Sequence, residues 1–296
     1  MRKLVVLLAA VLGLLATAMP AGAITGDYVE DFDHPFVGLV AFYDENGEYS
    51  HRCSGSLLSP SVFLTAGHCT DGATTARVYF QQDAGVNYDP ETEIDPVTGY
   101  PEYCAEGTQG VTCATSDELY NYGFDDFESY PNTKDAGLVI LDQPIELPEY
   151  GVLAEAGSLD ELAAELQKKE ITFTSSGYGL SESNPVHETS LRERLMAESR
   201  LTNLGSHNTD GFNLQTNGNG PDRGTTCSGD SGGPVFYGGF ESNTIVAVTS
   251  FGMNAYCRGV DFSYRTDTEE VKAWILETVE NSSASDEVDD IQFVSP

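Results

Sequence analysis

A glycine-rich segment in the C-terminal third of the chain is its most constraining feature. It runs Thr-Cys-Ser-Gly-Asp-Ser-Gly-Gly-Pro from 226 to 234. Gly229, Gly232 and Gly233 permit backbone angles that other residues resist, and they keep Cβ atoms away from a carbonyl group approaching Ser231. The pattern predicts a tight loop that exposes the Ser231 hydroxyl as a nucleophile.

One histidine and one aspartate lie in settings that suit a base and its orienting acid. A serine hydroxyl attacks well only when a neighbouring base removes its proton. His68 follows the apolar, β-prone run 61–64 and precedes Cys69, which predicts a position at a strand end. Asp135 opens the apolar run 136–141, where a largely desolvated carboxylate would stabilise an imidazolium.

The sequences of these three segments and their order along the chain are similar to those of a known family of enzymes. Thr-Ala-Gly-His-Cys, Asp-Ala-Gly-Leu and Gly-Asp-Ser-Gly-Gly-Pro follow one another along the chain and resemble the trypsin and chymotrypsin family of serine endopeptidases. The resemblance implies a secreted enzyme that hydrolyses peptide bonds through an acyl-enzyme, with His68, Asp135 and Ser231 as its catalytic triad. It also implies an oxyanion hole made by the backbone N–H groups of Gly229 and Ser231.

The fold class expected on this resemblance is all-β, with two antiparallel six-stranded barrels and a C-terminal helix. Short β-branched and aromatic runs bounded by Gly, Asn, Asp or Pro agree with it. The barrels are predicted at about 24–145 and 146–267. The closing helix is predicted at 268–281, with Thr266 and Asp267 as candidate caps.

Both ends of the chain have distinctive compositions. Residues 1–23 combine a basic start, an uncharged apolar stretch and a small-residue cleavage site, which is typical of a secretory signal peptide. No later stretch approaches the roughly 20 apolar residues of a membrane span. We expect an extracellular mature chain that begins at Ile24. Residues 282–296 are acidic and are predicted to be disordered.

The expected new N-terminus has a further consequence. In the family that the chain resembles, a freed N-terminal Ile or Val places its ammonium beside the aspartate that precedes the nucleophile, here Asp230. That ion pair organises the oxyanion hole and the specificity pocket. Because signal cleavage would itself expose Ile24, we hypothesise that export and activation are one event. Asp27 stands where the family usually has a second glycine, and cleavage elsewhere followed by trimming is the alternative.

The resemblance also indicates the substrate-binding residues. Ser250, Phe251 and Gly252 are similar to the family's Ser-Trp-Gly strand, which pairs with extended substrate backbone, with Phe in place of Trp. Thr225 falls where trypsin-like members have the aspartate that pairs with a substrate Arg or Lys. The pocket is therefore predicted to be uncharged and to favour an apolar or aromatic residue before the scissile bond.

The register after Cys257 leaves an alternative open. The chain reads Arg-Gly-Val-Asp-Phe from 258 to 262. If Gly259 faces the pocket, the space is large and neutral. If Asp261 faces it instead, a preference for Arg or Lys before the scissile bond is restored.

Cysteine number and spacing agree with an oxidising compartment. Six cysteines are present, at Cys53, Cys69, Cys104, Cys113, Cys227 and Cys257. The resemblance implies that the first two pair and that the last two pair. The middle pair is inferred from even number and short spacing. Neither a Cys-x-x-Cys motif nor a Cys/His quartet is present, so no metal site is expected from these residues.

Acidic residues dominate the charge. The 14 basic and 47 acidic residues give a formal net charge of −33. Such a chain repels nucleic acid and anionic membranes, so we expect protein or peptide substrates and a monomer. Many of the carboxylates fall in an insertion at 82–131, where a solvated acidic loop is the simpler interpretation. Structural calcium is the alternative there, and the triad chemistry requires no other cofactor.

Two further function classes remain after this reasoning. A protease homologue that has lost catalysis could act as a binding module, although such proteins usually lack a triad residue and this chain retains all three. An esterase on an α/β scaffold would need alternating helices and a different order of catalytic residues.

Overall fold

The computed structural model describes residues 24–86, 88–89, 91–94, 101, 103–104, 112–163, 169–190 and 192–296. The predicted signal peptide lies outside the described residues. Two closed antiparallel sheets and a C-terminal helix form most of the described part, which confirms the expected fold class. None of the described helices is both long enough and apolar enough to span a bilayer.

The strands are short, as expected for barrels with many turns. They are β1 (Thr25–Gly26), β2 (Val29–Glu30), β3 (Val37–Tyr43), β4 (Tyr49–Leu57), β5 (Val62–Thr65), β6 (Thr75–Tyr79), β7 (Cys113–Ser116), β8 (Glu118–Asn121), β9 (Gly137–Ile140), β10 (Val152–Ala154), β11 (Thr172–Gly177), β12 (Glu182–Asn184), β13 (His187–Thr189), β14 (Leu195–Asn203), β15 (Asn213–Asn217), β16 (Gly224–Thr225), β17 (Pro234–Tyr237), β18 (Thr244–Gly252), β19 (Val260–Arg265) and β20 (Phe293–Val294).

The first barrel follows the order β7-β6-β3-β4-β5-β9-β8. Only Asp117 separates β7 from β8, so the two act as one bent strand that closes a six-stranded ring. Fully buried Phe36, Phe42 and Phe63 help fill its interior. Strand β4 packs tightly against the Phe63 ring at Gly55, where a Cβ atom would lie 2.4 Å from that ring. The first barrel is thus a filled core rather than a channel.

The second barrel is a ring of six strands, β17-β11-β14-β15-β19-β18, closed by the pairing of β18 with β17. Buried Phe173 and Leu214 lie in its core. Three short strands attach to the outside: β2 on β14, β10 on β18, and β20 on β10. The N-terminal segment therefore crosses the second barrel before it enters the first.

In the described ranges, three α-helices connect or close these sheets. They are α1 (Gly67–Thr70), α2 (Ser158–Ala163) and α3 (Glu269–Glu280), and a 3₁₀ turn follows at Ser285–Asp290. The closing helix α3 is capped by Thr268, whose side chain accepts a hydrogen bond from Val271 N. Its Val271, Ile275 and Val279 face inward. The helix matches the predicted span to within a residue at each end.

The acidic tail differs from the sequence expectation, because residues 282–296 are ordered against the body. Ala284 and Ile291 are buried, and β20 pairs in parallel with β10. Glu287 accepts hydrogen bonds from Ser59 Oγ at 2.7 Å and from Ser61 N at 2.8 Å. A few apolar and hydrogen-bonding residues thus outweigh the charge repulsion from which disorder was inferred.

Removing residues 282–296 is expected to lower the free energy of unfolding by roughly 3 kcal/mol, because it exposes the apolar surface under Ala284 and Ile291 and removes the Glu287 hydrogen bonds. Urea titration followed by fluorescence measures the change. A variant that lacks only residues 295–296 is the control, since it keeps β20. Equal midpoints for the two truncations would contradict this role of the tail.

Candidate active site

His68 and Asp135 meet at the edge of the first barrel. His68 lies in α1, directly after β5, and Asp135 precedes β9, which pairs with β5. Nδ1 of His68 is 2.9 Å from Asp135 Oδ2 and 3.1 Å from Oδ1, and the His68 backbone N–H donates to Oδ1 at 2.7 Å. Asp135 is fully buried, whereas 25% of the His68 side chain is exposed. The carboxylate can therefore orient the imidazole and leave Nε2 to face the cleft.

A residue from the second barrel also contacts the carboxylate of this pair. Ser250 Oγ donates a hydrogen bond to Asp135 Oδ2. The sequence placed Ser250 among the substrate-binding residues. The structure adds that its hydroxyl is directed at the buried carboxylate, which links β18 to the catalytic side of the first barrel.

Ser231 lies in the turn between β16 and β17, packed against the chain that leads to His68. A Cβ atom on Gly232 would lie 2.1 Å from Thr65 Oγ1 and 2.6 Å from Ala66 N. Ser54 N donates to Ser231 O at 2.8 Å. These contacts bring the nucleophile loop to the strand end that carries His68. Within the described part of the chain no hydrogen bond joins Ser231 to His68, and such bonds are often long before substrate binds.

Two backbone N–H groups in the turn that holds Ser231 are available to a ligand. Three neighbouring N–H groups already have acceptors: Asp230 N donates to Cys227 O, Gly232 N to Thr249 O, and Gly233 N to Asp230 O. The backbone N–H groups of Gly229 and Ser231 donate to no acceptor within the described residues. Gly229 has φ of +100°, which a side chain would strain. The turn thus presents the two donors expected of an oxyanion hole.

The Asp230 side chain is buried against Gly177 and Gly179, at the end of β11. Its carboxyl accepts hydrogen bonds from Gly179 N and Cys227 N, each at 2.8 Å. Burial raises the pKa of Asp230 to about 7, although these hydrogen bonds and the charge of Arg52 oppose the shift. A buried carboxyl in this state gains free energy from a cation placed beside it.

The Ile24 side chain is also buried. Its Cγ2 lies 3.3 Å from the position a Cβ atom would take on Gly224. The next residue, Thr25, pairs with Thr225 in the β1–β16 ladder. The N-terminal segment is therefore held against β16, the strand that leads into the nucleophile turn.

A cavity of about 360 Å³ opens beside Ser231, and Asp261 lines it. Asp261 is directly opposite Gly252 in the β18–β19 ladder. Its Oδ2 accepts a hydrogen bond from Thr226 N at 2.8 Å, and its Oδ1 lies 3.3 Å from the position of a Cβ atom on Gly252. Burial raises the pKa of Asp261 to about 7, against the lowering effect of the Thr226 hydrogen bonds.

Asp261, rather than Thr225, lines this cavity beside Ser231. Thr225 does not line this cavity, because its hydroxyl donates to Cys257 O at 2.5 Å and contacts Thr25 Oγ1 at 2.7 Å. Gly259 does not line it either and has φ of +95°. The chain turns at Gly259, so the following strand brings Asp261 to the pocket. The sequence left Gly259 and Asp261 open as pocket residues, and of these two Asp261 lines this cavity.

A second polar group in the cavity has no partner. Thr249 lines the pocket at 4% exposure, and its Oγ1 is without a hydrogen-bond partner in the described part of the chain. A buried hydroxyl in this state lacks the hydrogen bond that would offset its loss of water.

An aromatic wall continues from His68 along the cleft, and sequence reasoning missed it. Phe124 lies 5.8 Å from the His68 ring and 5.1 Å from Phe127, which in turn lies 5.3 Å from Phe251. Tyr130 is 6.2 Å from Phe251. Phe127 is 38% exposed and Tyr130 is 40% exposed. The aromatic spacing in the insertion was the available signal, but acidic residues obscured it.

All three predicted disulfides are present: Cys53–Cys69, Cys104–Cys113 and Cys227–Cys257. The first ties the residue after His68 to β4. The third ties the nucleophile loop to the segment before β19. Both therefore brace elements that line the cleft.

The acidic insertion is packed more closely than a solvated loop would be. Ala84, Tyr88 and Ile94 pack against the first barrel. Some of its described carboxylates accept local hydrogen bonds, as Glu93 does from Asp89 N. In the described ranges, the one group with metal-ligand spacing is Cys53, His68 and Cys69, and its two cysteines form a disulfide. Calcium binding stays an untested prediction.

Comparison with known proteins establishes the family. A profile of the Trypsin family matches residues 24–275. The chain is 24% identical over 244 residues to chymotrypsin-like elastase family member 3B of Homo sapiens, which covers 80% of this chain and 82% of the relative. It is 26% identical over 212 residues to brachyurin of Leptuca pugilator, which covers 69% and 77%. The chain therefore belongs to the trypsin family of serine proteases.

Solved structures agree on the fold. HL collagenase superposes with a TM-score of 0.60 at 19% identity, covering 86% of this chain and 98% of that one. Human heparin binding protein superposes with a TM-score of 0.61 at 17% identity, covering 88% and 98%. At these identities the likeness establishes the two-barrel architecture, and activity has to be argued from the site.

Proposed function

We propose that the protein is a secreted serine endopeptidase that cleaves peptide bonds after basic residues. The observation that carries the proposal is the convergence of three features at one cleft. These are the His68–Asp135 pair, the two N–H donors at Gly229 and Ser231, and the cavity lined by Asp261. Separate barrels supply them, so their meeting is a property of the whole fold.

The chemistry follows from the positions of these groups. Ser231 Oγ attacks the scissile carbonyl while His68 takes its proton, and buried Asp135 stabilises the imidazolium. The carbonyl oxygen becomes an oxyanion that accepts from Gly229 N and Ser231 N. His68 then gives the proton to the leaving amine, and water hydrolyses the acyl-enzyme by the same steps. The scheme requires no cofactor.

Specificity in this proposal comes from the cavity. A lysine or arginine side chain before the scissile bond would place its cation against Asp261. Such an interaction is strong because the carboxyl is 4% exposed and anchored by Thr226 N. Phe251 and Gly252 at the end of β18 offer an edge for the extended substrate backbone, and the aromatic wall beside His68 accommodates its apolar residues.

Preference for a basic residue is expected to rise with pH. The pKa of Asp261 is raised to about 7, so the carboxyl is protonated and neutral below that pH and carries its charge above it. The ratio of kcat/KM for a Lys peptide to that for the matching Leu peptide should therefore increase across pH 7. The ratio cancels any effect of pH on the catalytic steps that the two substrates share.

Asp261→Asn is the matched variant for this measurement. It keeps the size of the side chain and loses the charge, so the ratio should fall about 100-fold at pH 8 and become independent of pH. A wild-type ratio that stays level from acid to alkaline pH would contradict the role of Asp261.

Activation in this proposal depends on Ile24. Signal cleavage before Ile24 would create an ammonium next to the buried Asp230, with no separate propeptide to remove. Ile24 is buried beside Gly224, and the pKa of Asp230 is raised to about 7 by burial. Both observations support a cation-binding role for this carboxyl.

The second candidate is a catalytically inactive binding module. One fold neighbour is described as a heparin binding protein. Heparin is a polyanion, and a chain with a formal net charge of −33 repels such a ligand. The complete set of catalytic groups also favours the enzyme.

An active-site label separates the two candidates. The secreted protein is treated with a fluorophosphonate, and the modified residue is identified by peptide mass spectrometry, alongside hydrolysis of peptides that vary the residue before the scissile bond. Stoichiometric modification of Ser231 with cleavage after Lys or Arg supports the proposal. An unmodified Ser231 in a correctly folded chain that begins at Ile24 would favour the binding module.

A further inference from the structure

A serine of the first barrel contacts the nucleophile turn at two points. Ser54 lies in β4 and is fully buried. Its Oγ donates a hydrogen bond to Gly229 O at 2.8 Å, and its backbone N–H donates to Ser231 O at 2.8 Å. Gly229 and Ser231 are the two residues whose N–H groups are available to an oxyanion. Ser54 therefore holds the carbonyls of both residues that supply these donors.

These carbonyls flank the peptide group that carries the Ser231 N–H. A peptide group is planar, so a carbonyl and the N–H of the next residue turn together. Gly229 O shares its group with Asp230 N, and Ser231 O shares its group with Gly232 N. The group between them carries the Ser231 N–H. Because Ser54 holds the carbonyl on each side, it restricts the rotation of this donor.

The backbone at Gly229 needs such an external restraint. Gly229 has φ of +100°, and glycine rotates between backbone conformations at little steric cost. The Asp230 N–H, at one end of the peptide group that follows Gly229, donates to Cys227 O at 2.9 Å. The Ser54 hydroxyl holds the carbonyl at the other end. The peptide group is thus fixed from both ends, and one of the two restraints is a side chain.

The same hydroxyl joins the two barrels. Ser54 Oγ accepts a hydrogen bond from Tyr178 N at 2.9 Å, and Tyr178 directly follows β11 of the second barrel. A hydroxyl has one hydrogen to donate, so donation to Gly229 O and acceptance from Tyr178 N together fix its orientation. Thr65 Oγ1, at the end of the strand that precedes His68, donates to Ser54 O at 2.8 Å. Ser54 therefore ties the nucleophile turn to both barrels.

We propose that Ser54 is a positioning residue for the oxyanion hole. Its hydroxyl holds the Gly229 carbonyl so that the N–H groups of Gly229 and Ser231 are directed at the same oxyanion. This role rests on the proposed peptidase function. Loss of one fixed oxyanion donor lowers kcat about 100- to 1,000-fold. Removing the Ser54 hydroxyl misaligns a donor and does not delete it, so the expected loss is smaller, about 20-fold.

Two inhibitors measure the alignment of the oxyanion hole separately from side-chain binding. A peptide aldehyde and the matching peptide alcohol have the same residues and differ only in the C-terminal group. Ser231 Oγ forms a bond to the aldehyde carbon, the C=O double bond opens to an oxyanion, and His68 takes the serine proton. The alcohol forms no such bond. The aldehyde should therefore bind the unaltered protein about 1,000-fold more tightly than the alcohol.

In Ser54→Ala, this ratio of inhibition constants should fall about 20-fold. The inhibition constant of the alcohol should stay unchanged, because the cavity that binds the side chain is intact. For a peptide substrate the loss should appear in kcat and not as a rise in KM. The ratio is measured on chains that bind the alcohol, so a fraction of unfolded protein does not alter it.

Ser56→Ala is the matched control. Ser56 is two residues further along β4, so it faces the same side of the strand, and it is also fully buried. Its Oγ has no hydrogen-bond partner among the residues that the structure describes. Both inhibition constants should stay within about twofold of the unaltered values. An equal fall of the ratio in Ser54→Ala and Ser56→Ala would overturn the proposal.

Thr65→Val is a second variant, which leaves Gly229 O and Tyr178 N with their partner. Valine has nearly the shape of threonine but cannot donate to Ser54 O. Ser54 keeps its hydroxyl and loses one anchor, so the ratio should fall about threefold. This variant decides the matter where Ser54→Ala does not fold, since an unchanged ratio in it would then count against the role of Ser54.

A purely structural role of Ser54 predicts a different result. Ser54→Ala would then weaken the aldehyde and the alcohol alike, or lower only the midpoint of a urea titration, and the ratio would keep its unaltered value. That result overturns the proposal while the peptidase function stands. If the unaltered protein cleaves no peptide and binds the aldehyde no more tightly than the alcohol, the peptidase function itself is rejected.

Discussion

Replacing Ser231 with alanine is expected to lower kcat/KM for peptide hydrolysis about a millionfold. The change removes the oxygen that forms the acyl-enzyme, while His68, Asp135 and the donors at Gly229 remain. Most of the loss should appear in kcat, because the cavity that binds the substrate side chain is intact. Progress curves with a fluorogenic Lys peptide measure both constants.

Ser228→Ala is the control for this variant. Ser228 lines the same cavity and lies three residues before the nucleophile, so its replacement tests whether any serine-to-alanine change in this turn disrupts catalysis. We expect a loss of less than about tenfold. Activity in Ser231→Ala that matches the Ser228→Ala level would reject Ser231 as the nucleophile.

The barrels and the relation of His68 to Asp135 could be predicted because local sequence and geometry agree. His68 directly follows a buried apolar run, and Asp135 begins another. In the structure these runs are β5 and β9, which pair with each other. Two polar residues at adjacent ends of paired strands necessarily lie close together. The family resemblance then supplied the closure of each sheet, which short β-prone runs alone do not determine.

The pocket was harder to predict because one turn sets the register of a whole strand. A shift by one residue moves every side chain of a strand to the opposite face. Gly259, in its left-handed conformation, ends the loop, and the ladder then places Asp261 opposite Gly252. Counting from Ser231 gave the position of Thr225 along the chain, but not the direction of its hydroxyl, which is held by Cys257 O.

Composition misled the prediction of the tail and of one helix cap. The 282–296 segment reads as disordered by charge, yet Ile291 is 6% exposed. Asp267 was a candidate cap for the closing helix. It instead pairs with Arg265 at 2.8 Å and accepts from Leu159 N, the second residue of α2. Each outcome depends on a distant partner, and distant partners are not visible in local sequence patterns.

Adding one residue before Ile24 of the mature chain is expected to reduce kcat/KM about a thousandfold. The extension moves the α-ammonium away from Ile24 by about 3.5 Å of chain, and it leaves the carboxyl of Asp230 without the cation that would offset its burial. An unpaired buried charge costs about 3–5 kcal/mol, which corresponds to this loss if the oxyanion turn adopts its active form only with the ion pair. Peptide hydrolysis measures the loss, and N-terminal sequencing verifies each terminus.

Two variants separate the ion pair from the shape of the N-terminus. Ile24→Val in an unextended chain keeps the ammonium and nearly all of the buried side chain, so activity should stay within about tenfold of the starting level. Asp230→Asn keeps the shape and removes the partner charge, so it should be as inactive as the extended chain, and extension should then cost nothing more. Because a double change that is no worse than either single change indicates one shared interaction, this comparison assigns the loss to the Ile24–Asp230 pair. Full activity of the extended chain would instead place activation elsewhere in the molecule.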